Sequence, residues 1–88
     1  MPDVVTANAL RSGAVVYLAV DGRWVESIDE ASVAHDAAAL KELETLALAA
    51  VARNEVTAVY AFPVRLVGGR PHPVSVRETI RAAHAPTV

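Results

Sequence analysis

The chain has 88 residues, a formal net charge of −2 and no cysteine. That excludes disulfides, thiolate zinc sites, cysteine-ligated iron–sulfur clusters and thiol catalysis together. With 53% hydrophobic and 20% charged residues it is too apolar for a disordered chain and too short for two domains, and it lacks the basic surface that nucleic acid demands.

A single domain over residues 1–88 is therefore expected. Met1-Pro2-Asp3 opens without a positive n-region. Uncharged stretches such as Val56–Val64 fall well short of the ~20 residues of a membrane span. A cytoplasmic protein with no membrane or nucleic-acid partner is the expectation. The core material is thin: 18 Ala and 15 Val stand beside four aromatics, Tyr17, Trp24, Tyr60 and Phe62. Each large side chain must carry much of the core, because alanine brings little area to bury.

Val4, Val5, Thr6 and Leu10 read as a first strand, closed at Ser12-Gly13. Val15 to Val20 is almost continuously apolar, the pattern of a central strand buried on both faces. Asp21-Gly22 suits a type I′ turn, and Arg23 to Glu26 returns as a third strand that brings Trp24 near Tyr17. Ser27 and Glu30 have capping-box spacing and predict a short helical turn over Asp29–Ala34.

The strongest helix signal runs from Asp36, a cap, to Arg53. Leu40, Leu43, Leu46, Ala47, Ala50 and Val51 form its apolar face. Leu48 falls off that face and is a candidate contact for a partner or a second subunit. Thr57–Val67 reads as a second β region. Pro63 marks it as an edge or a bulge, and Gly68-Gly69 as a tight hairpin turn. Pro71 and Pro73 bracket His72 in the returning strand, another edge signature. Ser75-Val76-Arg77-Glu78 repeats the capping-box spacing and predicts a short helix through Ala83. The fold class is therefore α+β, with a mostly antiparallel sheet, the order β-β-β-α-β-β-α, and one long and one short C-terminal helix. The expected core comprises Val16, Leu18, Trp24, Leu40, Leu43, Ala47 and Tyr60. The small aromatic-poor core and the edge segment Thr57–Val74 predict a homodimer.

Charge is distributed unevenly. Residues 1–62 hold four cations against nine acids, whereas residues 63–88 hold Arg65, Arg70, Arg77 and Arg81 against Glu78 alone. Arg70, His72, Arg77, Arg81 and His84 form the candidate binding cluster, since guanidinium donors pair with oxyanions or an acidic protein surface. The competing reading is that these arginines only solvate a surface. His35, His72 and His84 are spread without metal-ligand spacing, so no metal and no cofactor is expected. The serines sit at turns and caps, and the glycines punctuate hairpins and do not cradle a phosphate. No catalytic residue is assigned.

Three stretches carry a resemblance: Val4-Val5-Thr6-Ala7-Asn8-x-Leu10-x-Ser12-Gly13-x-Val15-Val16-Tyr17-Leu18, Asp21-Gly22-x-Trp24, and Arg77-Glu78-x-Ile80-Arg81-Ala82-Ala83 through Pro86-Thr87-Val88. Together they resemble a family of short bacterial proteins of unknown function, encoded beside siroheme synthase and a sulfite or nitrite reductase in sulfate-assimilation gene clusters. The resemblance implies, by association, a non-catalytic accessory or protein-binding module of assimilatory sulfite reduction. Its partner would be sulfite reductase or its electron donor. It supplies no catalytic residues. The alternative is a small regulatory domain that binds an anionic metabolite through the Arg/His cluster. A small enzyme using His72 or His84 as acid–base group is the third reading.

Overall fold

A computed structural model describes residues 2–74. A five-stranded antiparallel sheet has the order β3-β2-β1-β4-β5. Its strands are β1 (Asp3–Ala9), β2 (Val15–Leu18), β3 (Trp24–Val25), β4 (Val56–Val67) and β5 (Arg70–Pro73). A 3-10 turn spans Ile28–Glu30, and one helix, α1, spans Ala37–Ala52. The expected order β-β-β-α-β-β-α is thus corrected: among the described residues it is β-β-β-η-α-β-β, with a single helix. The capping-box spacing at Ser27 propagates no further than one 3-10 turn. Ser27 Oγ accepts from the Asp29 amide, and Ala31 has already returned to extended backbone. The short helix expected from Ser75 through Ala83 lies outside the described residues.

β1 is the middle strand, and its side chains alternate between two apolar layers. Val4 packs with Val15, Tyr17, Phe62 and Val64 on the face covered by Ala31 and Ile28. Val5 and Ala7 point the other way, to Leu18, Val16 and the buried α1 residues Leu43, Ala47 and Ala50. β2 is buried throughout, as its apolar run predicts. Thr6, fully buried, satisfies its hydroxyl by donating to the Val16 carbonyl at 2.8 Å. The connection after the 3-10 turn takes up backbone groups that β2 leaves open. Ser32 N–H donates to the Leu18 carbonyl, and Asp3 and Ala34 exchange two hydrogen bonds of 2.8–2.9 Å.

α1 begins and ends as its sequence directs. The Asp36 carboxylate accepts from the Ala39 amide at 2.8 Å. Asn54 closes the helix at φ 59° while the Glu55 N–H returns to the Ala50 carbonyl. Its apolar face is narrower than expected, since Leu46 and Val51 are exposed along with Leu48.

Three local expectations are also corrected. Tyr17 pairs with Val25 and Leu18 with Trp24, so Tyr17 and Trp24 lie on opposite faces of the sheet. The β2–β3 turn has positive φ only at Gly22, and Gly22 N–H bonds the Ala19 carbonyl. This is a longer loop than a two-residue type I′ turn. Tyr60 leaves the core: it is 36% exposed and meets the edge of it through Phe62, with ring centroids 6.2 Å apart.

Tyr60 pairs with Thr6 and so shares the face of Phe62 and Val64, away from α1, but lies outside the cluster that buries them; a β-bulge precedes it. The β1–β4 register shifts between Thr6↔Tyr60 and Asn8↔Thr57. Ala58 absorbs the extra residue at φ 57°. Val56 and Val59 are then an odd three positions apart, yet both face α1. Gly68 and Gly69, at φ 59° and 79°, make the tight hairpin turn expected of them, with the two positive φ values of type I′.

Two substitutions test this packing by urea titration. Leu43→Ala removes a side chain buried against Val5 and Leu18, and the expected loss is about 2–4 kcal/mol. Ala58→Gly removes the left-handed penalty of roughly 1–2 kcal/mol but adds unfolded-state freedom of roughly 0.5–1 kcal/mol. The expected outcome is unchanged or slightly raised stability, whereas Ala58→Val is expected to destabilise.

Candidate functional site

The Gly-Gly turn fixes the register of the β4–β5 hairpin. Val67 pairs with Arg70, Leu66 with Pro71, Arg65 with His72 and Val64 with Pro73. Strand alternation therefore puts Arg65 directly opposite His72 on one face, with Arg70 two residues along. Arg65, Arg70 and His72 are all exposed, while Val64 and Pro71 are buried on the other face. Between Val56 and Val74 the sequence contains no carboxylate.

The hairpin thus brings together two of the five candidate residues, Arg70 and His72. Arg77, Arg81 and His84 lie outside the described residues. Arg65 was not in the candidate cluster. Counting outward from Gly68-Gly69 reveals it, because a two-residue turn makes every pair sum countable from the sequence. Arg70 is not wholly uncommitted: its guanidinium reaches the Asp29 carboxylate at 3.4 Å. Both groups are exposed, so this contact is worth little energetically. It tilts the Arg70 side chain toward the 3-10 turn.

Two shallow surface features accompany the hairpin. One is a groove of about 320 Å³ lined by Glu44 and Leu48 of α1 and Val59, Tyr60 and Ala61 of β4. The outlying Leu48, 66% exposed, therefore stands next to the β4 segment that Pro63 marked as an edge. The other, of about 410 Å³, is bordered by Arg11, Arg53 and Glu55. There Glu55 accepts from Arg53 at 2.9 Å. That bond holds the Glu55 carboxyl below its ordinary 4.5 and raises the guanidinium. The amide of Arg23 similarly lowers Asp21, in the turn before β3. No group of three or more His, Asp or Glu side chains among the described residues is arranged to hold a metal ion. No helix among them is long and apolar enough to cross a membrane.

The sign of the Glu55 effect gives a pH test. A depressed carboxyl stabilises the fold above its unfolded value, and that contribution is lost as pH falls through the folded one. Carboxyl-detected NMR is expected to place the Glu55 midpoint below that of the other exposed glutamates in the wild type. Arg53→Gln is expected to return it to the ordinary range.

Neither a curated protein nor a solved structure matches this chain. A family model does, described as a protein of unknown function (DUF2849), over residues 3–88. It therefore takes in all five strands and α1 as well as the basic C-terminal stretch, and it agrees with the sequence resemblance at the level of a family without assigned function. The chain belongs to the DUF2849 family.

Proposed function

We propose that this protein is a non-catalytic docking module that works through its basic β4–β5 hairpin together with the candidate residues Arg77, Arg81 and His84. The observation that carries the proposal is the cross-strand placement of Arg65 opposite His72, beside Arg70, on an exposed hairpin without carboxylates. The rest of the chain is acidic, so the molecule has a charge separation that orients an approaching acidic partner. Guanidinium forks at fixed strand spacing suit carboxylates on a protein surface.

The gene neighbourhood implied by the resemblance supplies the process. The partner is assigned as sulfite reductase or its acidic electron donor, with this chain as an accessory of assimilatory sulfite reduction in the cytoplasm. Such an encounter is steered by long-range attraction and weakens as the Debye length shortens from about 10 Å at 0.1 M salt to about 3 Å at 1 M.

Affinity capture from the native cell tests this. Tagged wild-type protein is expected to retain the reductase or its donor at low salt and release it at high salt. A variant carrying Arg65→Glu, Arg77→Glu and Arg81→Glu is expected to retain at least about tenfold less, with an unchanged melting temperature, because like charges across an interface are strongly unfavourable. Equal capture by the variant removes the hairpin from the site. Wild-type protein that captures neither candidate removes the link to sulfite reduction. Stabilisation by sulfite without any protein capture transfers the hairpin to a small oxyanion.

A further inference from the structure

We infer that the docking surface runs on from the hairpin into the groove between α1 and β4. The partner segment that fits it is an extended strand, with an apolar side chain for the groove and carboxylates for Arg65 and His72. The inference rests on the docking proposal for the acidity of the partner, and adds an apolar and a backbone contact to it.

A shared face is the first observation. Val59 and Ala61 pack toward α1, whereas Phe62 and Val64 belong to the opposite layer. The β1–β4 shift lies before Tyr60, and pairing is regular from Tyr60 to Val67. Alternation therefore keeps Ala61, Pro63 and Arg65 on the α1 side of the sheet. His72, opposite Arg65, joins them there. The Arg70 guanidinium is drawn instead to Asp29. At roughly 3.3 Å per residue, Arg65 stands about 13 Å along the strand from Ala61. Groove and cations thus form one continuous surface.

The second observation is the edge. Val64 N–H donates to the Pro2 carbonyl, on the β1 side. Backbone groups in a strand alternate in direction. Phe62 and Tyr60 accordingly turn theirs toward β1, and Ala61 turns its amide and carbonyl away from it. β5 reaches back only to Val64. Among the described residues no strand lies beside Ala61 on that side. An open donor and acceptor on a strand edge are a template for an added strand.

Chemistry is the third. Leu48, Val59, Tyr60 and Ala61 line the groove, and Leu48 is exposed. Glu44 lies in the same lining and disfavours a carboxylate within the groove. The hairpin has no carboxylate of its own from Val56 to Val74, and guanidinium donors pair with those of a partner. An acidic segment is thereby sorted along its length, with its apolar part in the groove and its carboxylates on the hairpin. Main-chain bonds to Ala61 hold it in register between the two.

The test uses capped synthetic peptides of about eight residues, long enough for the span. The first carries consecutive glutamates followed by a leucine flanked by valines. In the second the aliphatic residues are serines, and in the third the glutamates are lysines. Each is titrated into isotope-labelled full-length protein and followed by amide NMR. At low salt the first peptide is expected to bind at least about tenfold more tightly than the second, the worth of burying one leucine side chain. The third is expected not to bind. Hydrogen exchange of the Ala61 amide is expected to slow on saturation with the first peptide. Leu48→Asp, an exposed change, is expected to remove the advantage of the first peptide over the second and to keep the salt dependence. Arg65→Glu is expected to weaken both acidic peptides and flatten their salt dependence. Equal affinity for the first two peptides, or an Ala61 amide that does not respond to the first, overturns the inference and leaves the docking reading standing. Binding of the first peptide that ignores both salt and Arg65→Glu overturns the docking reading, and the inference with it. Protection of the Ala61 amide in the free protein also overturns the inference. It assigns the edge to a second copy where sedimentation gives a dimer, and to the chain itself where it gives a monomer.

Discussion

Everything in this fold depends on burying β1 from both sides at once. Val4, Val5, Thr6 and Ala7 are all fully buried, although the chain has few large side chains with which to cover them. Two different devices do it. On one face Ala47 and Ala50 let α1 approach the sheet closely, so that Leu43 and Leu18 fill the remaining space. Small residues bring little area themselves, but they shorten the distance over which dispersion acts. On the other face no α-helix lies among the described residues. Tyr17 and Phe62 meet edge to face, with centroids 6.4 Å apart, and the segment through Ile28 and Ala31 closes over them.

That second cover explains the irregular connection between β3 and α1. A long helix there would leave the sheet end at Asp3 and Leu18 without hydrogen-bond partners. Extended backbone at Ser32 and Ala34 supplies them instead. Backbone groups left unpaired in the interior are costly, and satisfying them outweighs the weak local preference for a helix signalled by Ser27 and Glu30.

The elements that were legible from sequence are those set by local chemistry. Asp36 caps α1, Asn54 ends it, Gly68-Gly69 turns the hairpin, and the apolar Val15–Leu18 strand is buried throughout. The misjudged positions were those decided by pairing. Tyr60 reads as core because it alternates evenly with Phe62 and Val64, but it lies outside the cluster that buries them. The bulge at Ala58 puts Val56 and Val59 on one face, and an alanine in a left-handed conformation gives no warning of it in the sequence. Tyr17 and Trp24 fail in the same way, because one residue of register decides which face each occupies. Of the candidate cluster, the pair Arg70 and His72 was legible, whereas Arg65 needed the pairing across the turn.

β4 divides into two halves with different duties, and Pro63 stands between them. The first half pairs with β1 and supplies Val56, Val59 and Phe62 to the core. The second half pairs with β5 from Val64 onward, and beyond Val64 its side chains are exposed. In β5 only Pro71 is buried. The basic hairpin is therefore attached to the core by few contacts, and its surface charges make almost no contribution to holding the fold. Replacing a solvated arginine there costs little stability. A change in what the hairpin binds can consequently be separated from a change in whether the chain folds. The same independence leaves the charge of this surface free to be set by a partner and not by the core beneath it.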